Sequence, residues 1–148
     1  MEQERNESTE IAGRISSVVY TNEENGYTVL RLDTGDGNLV TVTGTLPSAA
    51  PGETLTARGV WTRHPTHGEQ FRAELARRSL PRTAEAIFQY LSGGAVRGVG
   101  PATAALIVDR FGEKTLDVLE NDPARLTEIR GVSAKKAEEM SASFRRQA

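Results

Sequence analysis

The hydrophobic period of this chain changes once, at Ser79-Leu80-Pro81. Before that point apolar residues mostly alternate with polar ones. After it they recur every three to four residues. Alternation lets a strand bury one face, and the longer period lets a helix bury one stripe. A strand half followed by a helix half predicts an α+β chain with two small domains, residues 10–80 and 81–148. Residues 1–9 lack apolar periodicity and are expected to form a disordered tail.

The first half divides into runs at 11–20, 27–32, 39–45, 55–61 and 70–77, separated by turn signals such as Asn25-Gly26, Gly35-Asp36-Gly37, Pro51-Gly52 and His67-Gly68. In the last run Phe71, Ala73 and Leu75 alternate with Arg72 and Glu74, which predicts one buried face. Five strands in about 70 residues fit a small five-stranded β-barrel of OB type. A sandwich is the alternative, but it usually wants about seven strands.

The second half carries helix punctuation. Thr83 caps an expected helix over 84–91, and Pro101 stands at the first residue of another over 101–111, closed by Gly112. A short helix over 115–120 follows. Asp122-Pro123 reads as a cap and first-turn proline before 124–128, and Ser133 caps a last helix over 134–145. Within this half, Val96-Arg97-Gly98-Val99-Gly100 returns 33 positions later as Ile129-Arg130-Gly131-Val132-Ser133. The same offset pairs Ala104 with Ala137, Ile107 with Met140 and Phe111 with Phe144. The unit is therefore a duplicated helix–tight turn–helix, an all-α tandem.

A glycine turn opening a helix leaves backbone N–H groups unpartnered at the positive end of the helix dipole, where an anion is favoured. In the first copy Gly98 and Gly100 permit positive φ and close approach of another backbone, and Val99 plugs the core. A phosphate would meet N–H groups from Gly100 to Thr103, with Arg97 at the rim. In the second copy Ser133 replaces the second glycine, and its hydroxyl competes for the same N–H groups. Lys135 and Lys136 stand in the first turn beyond it, beside Arg130, Gly131 and Val132. Cations there oppose the dipole, and a bound phosphate gives them a reason. The competing reading is a tight turn that needs glycine for geometry alone, with lysines that are ordinary solvated surface.

Charge limits the partners. The chain holds 18 Lys+Arg against 20 Asp+Glu; residues 1–80 carry 8 basic and 11 acidic side chains, and residues 81–148 carry 10 and 9. No broad basic footprint of a DNA binder exists, so a DNA site must be local. There are no cysteines, which removes disulfides and thiolate zinc sites. His64 and His67 are the two histidines and lack a ligand constellation, so no metal is expected. No nucleophile–base set and no paired catalytic carboxylates emerge, so no catalytic residue is assigned. No apolar run reaches about 18 residues and no signal peptide opens the chain, which predicts an intracellular, cytoplasmic protein without membrane partners.

The helical half resembles the tandem helix-hairpin-helix domain, which binds DNA backbone without reading sequence. The match extends further. Asn25-Gly26-Tyr27-Thr28-Val29-Leu30, Trp61-Thr62-Arg63-His64-Pro65-Thr66-His67-Gly68-Glu69-Gln70-Phe71, Ala95-Val96-Arg97-Gly98-Val99-Gly100-Pro101 and Phe111-Gly112-Glu113-Lys114-Thr115-Leu116-Asp117-Val118-Leu119-Glu120 resemble the N-terminal region of RecD/TraA-type DNA helicases. That resemblance implies an OB-like domain and a helix-hairpin-helix domain ahead of an ATP-driven motor moving 5′ to 3′ on single-stranded DNA, in repair and recombination. ATP and magnesium belong to that motor. This sequence contains no G-x-x-x-x-G-K-[ST] run to hold them, so the chain reads as a cofactor-free fragment.

The resulting expectation is a non-catalytic module that holds single-stranded or junction DNA beside its own motor domain in a bacterial nucleoid. Arg58, Trp61, Arg63 and Arg72 are the barrel candidates for DNA contact, with Trp61 either a stacking platform or a core residue. The alternative is a protein-interaction module whose barrel edge docks the motor or a repair partner.

Overall fold

Alternation over residues 27–33 does what a barrel wall requires: Thr28, Leu30 and Leu32 are fully buried, while Tyr27 and Arg31 are exposed. The structure, a computed structural model, describes residues 8–147 and divides into two units between Ser79 and Leu80. In the first unit the strands are β1 (Thr9–Thr21), β2 (Tyr27–Asp33), β3 (Leu39–Thr45), β4 (Thr54–His64) and β5 (Gly68–Ser79). They close into a barrel in the order β1-β2-β3-β5-β4, with β4 returning to pair with β1. Every pairing is antiparallel except β3 with β5, where Val42 meets Phe71 and Thr43 meets Arg72. Ile15, Leu30, Leu32, Val42, Leu55 and Phe71 form its core. Each such side chain contributes about 1.5–3 kcal/mol by leaving water.

Two expectations for this unit are corrected. The expected tail includes Thr9, but Thr9 begins β1, where it pairs with Gly59; residues 1–7 of that tail lie outside the described residues. Alternation puts Leu75 on the buried face of Phe71 and Ala73, but it is 69% exposed. The β4–β5 register explains it: Gly59 pairs with Ala73 and Arg58 with Leu75, so Glu74 is an extra residue. A bulge of one residue reverses the facing of what lies beyond it.

The second unit contains α1 (Ala84–Ser92), α2 (Pro101–Phe111), α3 (Thr115–Asn121) and α4 (Ala134–Gln147). Thr83 Oγ accepts from Ala86 N–H at 3.1 Å and caps α1. The three residue pairs at the repeat offset, Ala104 with Ala137, Ile107 with Met140 and Phe111 with Phe144, are all buried. Residues 123–128 form a 3-10 turn and not the expected α-helix, and the Asp122 side chain makes no cap. Asp122 has φ −147° and ψ 56°, and the six residues after it are a short segment that tolerates the tighter coil.

Arg110 at the end of α2 donates to Glu128 through Nε at 3.0 Å, and Arg125 lies 3.6 Å from the same carboxylate. The Arg110 hydrogen bond, and then the two positive charges, hold the Glu128 carboxyl below its ordinary value. A carboxyl depressed in the folded state adds stability above its unfolded pKa, and loses it as pH falls through the folded one. Glu128→Gln is expected to lower the melting point slightly near neutrality and to match wild type in acid, because the pair is exposed and screened. Melting followed by the helical signal down to about pH 3 checks this. A gap between the two proteins that stays constant across that range refutes it.

Candidate nucleic-acid interface

The two hairpins of the helical unit repeat each other's hydrogen bonds. Val99 N–H donates to Val96 O at 3.3 Å, and Val132 N–H donates to Ile129 O at 3.1 Å. Gly98 and Gly131, the third residues of those turns, have φ 87° and 86°. That is where a turn of this kind calls for glycine. Val99 and Val132 follow, both buried, and anchor the turns as predicted for the first copy. Ala104 N–H then reaches Gly100 O at 2.8 Å, and Ala137 N–H reaches Ser133 O at 2.9 Å, starting α2 and α4.

The copies differ at the residue before each helix. Gly100 has φ −95° and ψ −177°, extended backbone open to any residue, so it does not use the positive φ expected of it. No heavy atom lies within 4 Å of where a Cβ would sit. Turn geometry thus requires Gly98 and leaves Gly100 unexplained. What Gly100 does is leave α2 without a side-chain cap. Ser133 does the reverse, accepting from Lys136 N–H through Oγ at 3.1 Å.

The other candidates of these hairpins group around the same turns. Arg97, Arg130, Lys135 and Lys136 are exposed, and Thr103 is half-buried. The Arg97 backbone N–H is already used, donating to Ser143 Oγ at 2.8 Å. Its guanidinium is the part left to solvent.

The barrel candidates do not form one surface. By register Trp61 and Arg63 share the face of Phe71, whereas Arg72 takes the opposite face. Arg58 pairs with Glu10 at 3.4 Å, and Arg72 with Glu74 at 3.7 Å. Trp61 meets Phe71 edge-on with ring centroids 5.2 Å apart, yet is 40% exposed. It lies at the rim of the core, between its two expected roles.

The barrel instead presents a groove that sequence reasoning missed. It has a volume of about 430 Å³ and lies over the outward face of β2 and β3. Tyr20, Tyr27 and Arg31 line it from β1 and β2, Gln70 from β5, and His64 and His67 from the β4–β5 turn. Two irregularities in β1 bring Tyr20 opposite Val29. The turn is tied to itself: His64 Nδ1 accepts from Thr66 N–H at 3.0 Å and His67 N–H at 3.2 Å. The two imidazoles lie 4.5 Å apart. Tyr27 and Arg31 share a strand face by period two, but nothing local in the sequence links that face to a turn about 40 residues away.

Comparison with known proteins agrees with this architecture. Residues 8–81 match the family described as the OB-fold domain of ATP-dependent DNA helicase YrrC, and residues 88–146 match the SAM-like helix-hairpin-helix tandem. The chain is 27% identical over 144 residues to the ATP-dependent RecD2 DNA helicase of Deinococcus radiodurans. The match covers 93% of this chain and 20% of that protein, so the chain spans about a fifth of its relative's length. Among solved structures, one of the S. pombe Stn1–Ten1 complex is similar at TM-score 0.40 and 17% identity, over 49% of this chain and 57% of that one. An OBody bound to hen egg-white lysozyme is similar at TM-score 0.36 and 11% identity, over 49% and 92%. At those scores the two likenesses bear on neither fold nor function. With a five-stranded closed barrel, a helical tandem and a matching family for each, the chain belongs to the family of the OB-fold domain of ATP-dependent DNA helicase YrrC, here followed by a helix-hairpin-helix tandem.

Proposed function

We propose that this chain is the non-catalytic N-terminal DNA-binding region of a RecD-like 5′-to-3′ helicase of DNA repair and recombination, working in the bacterial cytoplasm. It grips the phosphate backbone through its two hairpins and holds DNA beside a motor domain that uses ATP and magnesium. The observation that carries this reading is Gly100, a glycine whose conformation does not need glycine and whose effect is an uncapped helix start. The first hairpin supplies backbone N–H groups at the positive helix end, and Arg97 supplies charge. The second, already capped by Ser133, contributes Arg130, Lys135 and Lys136. Contacts of this kind position a protein on DNA without reading bases.

Four neutralised phosphates correspond to roughly a 100-fold loss of affinity between about 50 and 200 mM salt. Anisotropy of labelled single-stranded and duplex DNA is expected to show that slope for wild type. Gly100→Asp places a capping carboxylate in open space, so it keeps the fold while repelling phosphate. It and Lys135→Glu/Lys136→Glu are each expected to weaken binding about tenfold or more. Variants that bind as wild type does, or a wild type that binds no DNA, sink the hairpin reading.

A second reading, a docking surface for the motor or a repair partner, rests on a different observation. Phe88 and Leu106 are 37% and 47% exposed in the helical unit. The barrel edge expected for that role is removed by closure, which leaves no unpaired strand among β1 to β5. A salt-insensitive protein complex without any DNA complex is the outcome that favours this reading.

A further inference from the structure

We infer that Ser143 is a positioning residue for the first hairpin. From α4, in the second copy of the repeat, its hydroxyl accepts from the Arg97 backbone N–H at 2.8 Å. That bond joins residues 46 positions apart and fixes the peptide plane that enters the turn. It therefore sets the direction in which the exposed Arg97 side chain leaves the backbone, beside the uncapped start of α2. Ser143 is 7% exposed and meets no phosphate itself. The inference rests on the hairpin reading and names what holds its first grip in shape.

The hydroxyl stands in a fixed place. One residue on, Phe144 meets Tyr90 of α1 edge-on, with ring centroids 6.4 Å apart. Ser141 donates to Leu119 O at 2.6 Å and Arg145 to Glu120 O at 3.0 Å, so α4 is tied to α3 on both sides of Ser143. Gly98, the residue after Arg97, also faces α4: a Cβ on it would lie 4.0 Å from Met140 Cγ. Alanine is the better helix former, and a buried hydroxyl costs free energy unless it is bonded. The bond to Arg97 offsets that cost.

The repeat supports a role beyond packing. Arg110 stands 33 positions before Ser143, the offset of the duplication. From α2 it too reaches into the other copy, donating through Nε at 3.0 Å to Glu128, which leads into the second hairpin. The second helix of each copy thus braces the entry to the other copy's hairpin. The braces differ in chemistry. The Arg110 and Glu128 side chains are 55% and 38% exposed, so salt screens their pair. The Ser143 bond is shielded and carries no carboxylate or other acid, so it keeps the first hairpin in shape as salt rises.

The test follows anisotropy of labelled single-stranded and duplex DNA against salt, with the full chain. Ser143→Ala is expected to weaken binding about three- to tenfold at about 50 mM salt. It is also expected to flatten the salt slope by about half to one unit, as the loss of one phosphate contact does, although no charge is removed. Ser141→Ala is the control: it removes another buried hydroxyl of α4, whose bond leads to α3 and not to a hairpin. It is expected to lower the melting point and keep the wild-type slope. Ser143→Thr keeps a hydroxyl and is expected to keep the slope. In an Arg97→Ala background, which retains the backbone N–H, Ser143→Ala is expected to cost less than about twofold, because the side chain it aims is gone. Three results overturn the positioning role while wild type still binds DNA: a wild-type slope in Ser143→Ala, equal flattening in Ser141→Ala, or full additivity with Arg97→Ala. So does a Ser143→Thr protein that melts as wild type does but binds as Ser143→Ala does. No DNA binding by wild type overturns this inference and the hairpin reading together.

Discussion

Gly59→Ala is expected to destabilise the barrel strongly, the largest effect of adding a methyl to any described glycine. Gly59 lies at the β4–β5 bulge and pairs with Ala73. A Cβ on Gly59 would collide with the main-chain carbonyl oxygen of Arg72 and would lie 2.9 Å from Ala73 Cα. Those obstacles are backbone and have no rotamer to escape into. Neither strand can step aside, because β4 is also paired with β1, and β5 is also paired with β3. Overpacking of this kind costs about 3 kcal/mol or more. The stability of a unit this size is about 4–11 kcal/mol. A drop in melting temperature of roughly 12 °C or more follows. Trp61 is the chain's one tryptophan and contacts Phe71 in this unit, so its fluorescence reports barrel melting. Gly35→Ala is the control: it has φ 92° and no neighbour within 4 Å, so strain there is limited to about 1–2 kcal/mol. A Gly59→Ala protein that melts within a few degrees of wild type refutes the close approach.

Arg78→Leu is expected to cost about 3 kcal/mol, the second large effect. Glu53 is only 3% exposed, and its Oε1 accepts from Arg78 Nη1 at 2.8 Å and from Ala50 N–H at 3.0 Å. Arg78 also donates to the carbonyls of Ser48 and Pro47, at 2.9 and 2.8 Å. It thereby ties the β3–β4 connection to the end of β5. Removing the guanidinium strands a carboxylate among buried groups and frees two carbonyls. The guanidinium side is 24% accessible, which places the loss at the low end of the range for buried pairs. Arg78→Leu/Glu53→Gln is expected to recover more than half of it, because the amide oxygen still accepts from Ala50 and carries no charge. Urea unfolding followed at Trp61 measures both. An Arg78→Leu loss below about 1 kcal/mol means that the pair is a surface interaction.

Much of the fold was legible before any coordinates. All five strands and the α-helices over 84–92, 101–111, 115–121 and 134–147 occur where alternation, Thr83, Pro101, Gly112 and Ser133 indicated. The duplicated hairpin was legible down to Gly98 and Gly131, because left-handed backbone calls for glycine within a four-residue turn. Leu75 and the groove were not. Leu75 follows the alternation of its own strand, and the extra Glu74 shows only when β5 is laid against β4. The Arg78–Glu53 pair spans 25 residues, and no local pattern announces it. Arg58, Arg63 and Arg72 carry the charge a DNA contact calls for, yet Arg58 and Arg72 are paired with acids and the three do not share a face.

Period, capping and turn chemistry are settled within a few residues, so the order of elements and the conformation of both hairpins could be read from the chain. Gly100 and Ser133 already differed there as letters. Folding showed what the difference means: one helix start is open, and the other is closed by its own hydroxyl. Strand register, bulges and the meeting of the 64–68 turn with β2 depend on pairings across dozens of residues. Those pairings are chosen by how Leu30, Val42, Leu55 and Phe71 fill one core. No neighbour in sequence carries that information, because the free energy that selects the register belongs to the packed barrel as a whole.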